Sequence, residues 1–228
     1  MTRSPERPRR SKRRLLLWPG ITLILVGLAL LGYVAWEFWG TTWVSHRHRD
    51  QAVRQLRHAW HQGDATVKTR WGNADALIRI PRFGASYAVP VFEGTSEAVL
   101  ATGFGHFTGT AGPGQVGNYA LAAHRITHGE PLRGMPDLRV GDEVIVETRT
   151  VTYTYKLTSP GGALVVPFTA GWVIDPALPR NPDGGIEPAQ KPGQRLLTLT
   201  TCSELFHTDN RMVAFGVLEK STRTVPVS

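Results

Sequence analysis

The run Leu196-Leu197-Thr198-Leu199-Thr200-Thr201-Cys202 decides how this chain is read. Its alternation is that of a β-strand, with Leu197, Leu199 and Thr201 on one face and Thr198, Thr200 and Cys202 on the other. The segment Met212–Leu218 reads as a returning strand, reached through the loop Cys202–Asn210. Cys202 is the only cysteine in 228 residues, so no internal disulfide can form. A lone cysteine is more often a buried small hydrophobe than a nucleophile. Here three threonines precede it and Arg211 follows nine positions later, which makes an ordinary core position the poorer reading.

Working outward, short β-like runs recur between Gly and Pro punctuation. They are Ala76–Pro81, Ala88–Phe92, Asn118–Ala123, Asp142–Thr148, Val151–Leu157 and Leu164–Val166. The fourth and fifth flank Arg149-Thr150 and read as a hairpin. Asn181–Gly193 is rich in Pro, Gly and Asp and reads as an exposed loop. Many short strands in about 145 residues, enough for one sizeable core, predict an all-β, closed or nearly closed barrel.

Charge is uneven along the chain. The formal net charge is +8, of which residues 1–14 carry +6 and residues 43–70 carry +4, while residues 71–228 sum to −1. A nucleic-acid site would need a basic patch on the folded domain, and that domain is nearly neutral; nucleic-acid binding is therefore rejected. Leu15–Trp36 carries no charged side chain from end to end. At about 1.5 Å per residue it reaches roughly 33 Å, the thickness of a hydrocarbon core. Trp18 at one end and Tyr33, Trp36 and Trp39 at the other sit where interfacial aromatics belong, and the preceding arginines predict a cytoplasmic N-terminus. A cleaved signal peptide would have a shorter apolar core and a small-residue cleavage site, which Glu37-Phe38-Trp39 does not supply.

The expected organisation is a basic cytoplasmic tail over 1–14, a transmembrane signal anchor over 15–39, a helical juxtamembrane stalk over 40–73, an extracellular barrel over 74–220 and a tail over 221–228. In the stalk, Val44, Val53, Leu56 and Trp60 recur at helical spacing, and its arginines read as a solvated face rather than as lipid contacts.

A thiol that attacks a carbonyl needs a proton acceptor and donor, and a cationic or hydrogen-bonding group for the developing oxyanion. His124 ends the small-residue strand Asn118–Ala123 and suits the first role. Arg211, permanently charged and carrying five donors, suits the second. Of the other histidines, His46, His48, His58 and His61 lie in the stalk, and no ligand cluster supports a metal at His46 and His48. His106 reads as structural, and His128 and His207 as loop residues that compete with His124. Papain-type thiol proteases place the cysteine before the histidine; here His124 comes well before Cys202.

These residues resemble a known family. Thr198-Leu199-Thr200-Thr201-Cys202 followed by Arg211 is similar to the TLxTC…R signature of sortases, and Ala122-Ala123-His124-Arg125 to the segment carrying their histidine. Ile80-Pro81 and Val89-Pro90-Val91 match their early strands, and Gly105-His106 and Gly117–Leu121 match the run before the histidine. Phe168–Pro176 and Cys202–His207 resemble the actinobacterial class E sortases in particular. Ala123 departs from the glycine many sortases carry there.

The resemblance covers about residues 74–220. It implies an eight-stranded β-barrel with short helices behind a single N-terminal transmembrane helix, on the outer face of the cell membrane. It implies a cysteine transpeptidase that cleaves an LAXTG- or LPXTG-type C-terminal sorting signal between Thr and Gly through a thioacyl enzyme. The acceptor would be an amine of a peptidoglycan precursor, so the partners are secreted proteins bearing the signal, the cell wall and the membrane. Cys202 would be the nucleophile, His124 the general acid and base and Arg211 the oxyanion group, with Thr200 and Thr201 lining the substrate cleft. No metal or organic cofactor is implied, and the sequence holds no carboxylate cluster dense enough for calcium. A short polar tail points to housekeeping anchoring rather than pilus assembly. Two other readings are a thiol peptidase with water as acceptor, and a membrane-tethered β-barrel binding module in which Cys202 is only packed.

Overall fold

The structure, a computed structural model, describes residues 11–36, 40–202 and 209–224, with the side chains of 11–17, 35, 41 and 202 outside the description. The Cys202 thiol and His207 therefore lie outside the described residues, as does most of the predicted tail 1–14. The chain forms two compact units, Met1–Gly40 and Thr41–Ser228.

In the first unit, α1 (Ser11–Ala35) is a 25-residue helix with Pro19 inside it. Trp18 is 72% exposed and Leu23 74% exposed, and no side chain described over 18–34 is buried. Among the described residues, no helix is long and apolar enough to cross a membrane. The apolar run begins at Leu15, so the side chains of Leu15, Leu16 and Leu17 fall outside the description.

The second unit is built on one ten-stranded sheet. Its strands are β1 (Val67–Lys68), β2 (Asn73–Arg79), β3 (Val89–Glu93), β4 (Phe104–His106) and β5 (Gly117–Ala122). They continue with β6 (Glu143–Glu147), β7 (Val151–Leu157), β8 (Leu164–Pro167), β9 (Arg195–Cys202) and β10 (Asn210–Arg223). The path β2-β3-β4-β5-β9-β10-β7-β6 closes through pairing of β2 with β6, which makes an eight-stranded barrel. β1 extends β2, and β8 lies against the N-terminal end of β10. Closure removes the sheet edges that would otherwise be open to other chains. Two neighbouring pairs are parallel, β3 with β4 and β5 with β9; the rest are antiparallel. β6 and β7 form the predicted hairpin, pairing Glu143 with Lys156 through Glu147 with Thr152.

The barrel is filled by alternate side chains. Ile78, Val91, Leu121, Leu197 and Leu199 are fully buried in one cluster. A second cluster lies outside the barrel wall, where Leu77 and Phe92 meet Ala52 and Leu56 of α2 (Thr41–Gln62). Two-sided burial explains why Ala76-Leu77-Ile78 is continuously apolar rather than alternating.

Although the closed barrel itself starts with β2 at Asn73, the predicted stalk is thus a helix within the compact unit Thr41–Ser228. Its buried positions Ser45, Arg49, Ala52, Leu56 and Ala59 repeat at four and three positions along one face. Ser45 and Arg49 are polar, so apolar spacing alone gives a weaker stripe than the one that packs. Arg49, read from sequence as solvated, is only 7% exposed.

Candidate active site

The parallel pairing of β5 with β9 sets the site. Its register runs from Gly117 opposite Arg195 to Ala122 opposite Thr200. Every pair keeps one constant offset along the chain, and His124 and Cys202 share it. Two positions past the last pair, the histidine and the cysteine leave neighbouring strands at the same level and the same barrel end. On the far side of β9, antiparallel pairing puts Arg211 directly opposite Cys202. One strand therefore carries the cysteine, and its two neighbours deliver the imidazole and the guanidinium.

The threonines before Cys202 tie this arrangement together. Thr201 Oγ1 donates to the Ala123 carbonyl at 2.7 Å and Thr200 Oγ1 to the Leu121 carbonyl at 3.2 Å. The Ala123 amide donates in turn to the Thr200 carbonyl at 3.2 Å. Both hydroxyls are buried and spent on backbone, so they clip β9 to Leu121 and to Ala123, the residue before His124. On the face it shares with Thr200, Thr198 Oγ1 donates to Asn118 Oδ1 at 2.7 Å. Asn118 Nδ2 reaches the Val173 and Asp175 carbonyls at 3.2 and 3.0 Å, pinning the segment that roofs the site.

A cavity of about 310 Å³ opens at this barrel end. Its lining includes His124, Thr200, Thr201 and Arg211 together with Phe168 and Ile174. The wall is mostly apolar, with few polar groups converging on it, as in sites that hold a peptide side chain. α3 (Glu97–Leu100) closes one side through Leu100. The Arg211 Cζ lies 6.0 Å from the Phe168 ring centre, and its Nη1 donates to the Asn210 carbonyl at 2.9 Å.

His124 is half-buried. Burial pushes its ring from an ordinary imidazole value down to about 4; the charges of His128 and Arg211 add to the fall, and Glu97 opposes it. The imidazole is therefore neutral at physiological pH, able to accept a proton. Its Nε2 is buried and unpartnered among the described residues. His128 stacks on it, ring centres 5.0 Å apart and planes at 27°.

His106 stands apart from this group. Its Nδ1 meets Glu93 Oε2 at 2.9 Å, and its Nε2 meets Thr110 Oγ1 at 3.0 Å and the Ala111 carbonyl at 3.1 Å. With both nitrogens engaged, it links β3, β4 and the following loop. Among the described residues, no group of three or more His, Cys, Asp or Glu is placed to hold a metal ion.

The sortase domain family model matches residues 78–219, from within β2 to within β10 and so through every strand of the closed barrel. The chain belongs to the sortase family. Sortases are cysteine transpeptidases, and this sortase falls in class E. It is 34% identical to sortase SrtE1 of Streptomyces coelicolor over 208 residues, covering 86% of this chain and spanning 55% of that relative's length. The structure of sortase E from Streptomyces avermitilis matches with a TM-score of 0.57 and 37% identity, over 68% of this chain and 93% of that one. Sortase E1 from Streptomyces coelicolor, solved with a tripeptide in its active site, matches with a TM-score of 0.56 and 32% identity, over 69% of this chain and 94% of that one.

In this sortase, His124, Arg211, Thr200 and Thr201 come together at one cavity, and the backbone of Cys202 lies between the first two. One contributor was only partly legible in the sequence. The roof segment Phe168–Ile174 reads there only as a motif, because besides the adjacent β8 its contacts are to β10 and to Asn118 of β5, both far away in the chain.

Proposed function

We propose that this chain is a membrane-anchored cysteine transpeptidase that cuts a C-terminal sorting signal of LAXTG or LPXTG type between Thr and Gly and transfers the new acyl end to a cell-wall amine. The observation that carries the reading is the register of β5 with β9, which levels His124 with Cys202 while Arg211 of β10 pairs opposite the same cysteine.

The chemistry follows from these three groups. The neutral His124 ring takes the proton from the Cys202 thiol, and the sulfur attacks the threonine carbonyl carbon. The oxygen gains negative charge, which the Arg211 fork meets with charged donors. The C–N bond then breaks, His124 returns the proton to the departing glycine amine, and a thioester to Cys202 remains. An amine of the peptidoglycan precursor attacks that thioester and gives its proton to His124. The sulfur leaves and is reprotonated. Thr200 and Thr201 shape the cleft wall beside the acyl chain. Residues 15–39 would span the membrane with 1–14 in the cytoplasm, holding the barrel where secreted substrates emerge.

The test uses the full chain in detergent with an LAXTG peptide, with and without a diglycine-type amine. The expected result is a peptide adduct on Cys202 in the mass spectrum, and an amide product once the amine is added. Free acid alone in excess amine would replace the transpeptidase with a peptidase. No cleavage, with Cys202→Ala still binding the peptide, would leave only a binding module.

A further inference from the structure

We propose that Arg49 of α2 is a positioning residue for His124, acting from outside the barrel through the turn His128-Gly129-Glu130. This rests on the reading of His124 as the acid–base group.

Arg49 is buried, and its Nη2 donates to the Gly129 carbonyl at 2.9 Å, across 80 residues of chain. Its Nε has no hydrogen-bond partner among the described residues, and burial pushes its guanidinium below the usual arginine value. A cation taken out of water on so few bonds costs stability rather than adding to it. At this depth it cannot reach a lipid head group or serve as a solubilising charge. What it does is fix one carbonyl.

That carbonyl belongs to an unusual turn. His128, Gly129 and Glu130 have φ of 54°, 74° and 47°, and two of these are not glycine. Consecutive left-handed residues persist only where the surroundings hold them. The hold from α2 is close. A Cβ on Gly129 would sit 2.8 Å from Arg49 Nη2 and 3.2 Å from Ser45 Cβ, so a methyl there has to push the guanidinium aside. The other ends of the loop are tied as well. The Leu132 amide donates to the His124 carbonyl at 3.0 Å, and Tyr87 Oη donates to the Pro131 carbonyl at 2.8 Å.

The turn carries the His128 ring that stacks on His124. The groups facing His124 are thus His128 from its own loop, Glu97 from α3 and Arg211 from β10. Releasing Gly129 would let His128 and Glu130 relax to negative φ and draw the stacked ring away. The imidazole would then gain water and lose its fixed angle toward the sulfur. An angular error of that kind lowers turnover more than binding.

The experiment uses the full chain in detergent and the variants Arg49→Met, Arg49→Lys and Gly129→Ala. Arg49→Met is expected to lower kcat by about 10- to 100-fold with KM within about twofold. Arg49→Lys should recover part of the loss. Gly129→Ala, which pushes the guanidinium off its carbonyl from the other side, should reproduce it. In a Cys202→Ala background, the labelled His124 ring should titrate at higher pH once Arg49→Met is added. A folded Arg49→Met protein with wild-type kcat overturns the proposal, as does a kcat loss with an unmoved His124 titration. If Arg49→Met does not fold, the Gly129→Ala variant decides on the same two readouts. If the unaltered chain cuts no peptide, the catalytic reading falls, and the titration still decides whether Arg49 positions the ring.

Discussion

His124 is where charge and burial meet most sharply. Its ring is held neutral down to about pH 4, against an ordinary value near 6.5. Folded and unfolded chains both leave it neutral above that ordinary value, so it has no pH effect there. As pH falls below about 6.5, the unfolded chain takes up the proton first, and stability drops by on the order of 1–3 kcal/mol by about pH 4. Histidine-labelled NMR on Cys202→Ala should show one ring titrating near 4; a titration at 6.5 would mean that the site is open to water. Arg211 gives a second prediction at this scale. Lysine there keeps the charge but loses the fork, so Arg211→Lys should lower kcat by about 10- to 1,000-fold and peptide affinity by only a few-fold, measured by turnover and by binding to a Cys202→Ala background. Equal kcat would remove Arg211 from the oxyanion role. Both residues were visible in the sequence because charge and chemistry mark them. Thr200 and Thr201 were also visible, but their hydroxyls serve the backbone, which only the strand partner reveals.

Among the elements, α2 differs most from its sequence reading. Its periodicity predicted a helix, and the helix spans Thr41–Gln62. What the periodicity did not supply was a partner. Leu56 is fully buried against Leu77 and Phe92 on the outer face of β2 and β3. Leu56→Ala should therefore cost about 2–5 kcal/mol of unfolding free energy in a denaturant titration. A solvated stalk would lose almost nothing. The strands fared better, because alternation and turn residues are local. β6, β7 and β9 fall within a position or so of where the pattern puts them. The short strands β4 (Phe104–His106) and β1 (Val67–Lys68) went unseen, since so few positions carry no period.

At the scale of the whole molecule, two compact units divide at Gly40, and the positive charge gathers at the N-terminal end of the chain. If 1–40 anchors the chain as proposed, deleting it should move the protein from the membrane fraction to the soluble one. Peptide cleavage by 41–228 should stay within about twofold, because the second unit holds the cavity and every residue proposed to act on substrate. Retention in the membrane fraction would place the anchor elsewhere. The sequence by itself determined the barrel class and the strands with clear alternation, and it marked Cys202, His124 and Arg211 as candidates by their chemistry. Those follow from local period and residue chemistry, which act within a few positions. Only the tertiary structure decided that β5 and β9 run parallel in the register that levels His124 with Cys202, that α2 packs against the barrel wall, and that Arg49 is buried against the Gly129 carbonyl. Parallel pairing and helix docking join segments far apart in the chain, and their free energy comes from burial and hydrogen bonds that no short window of sequence contains.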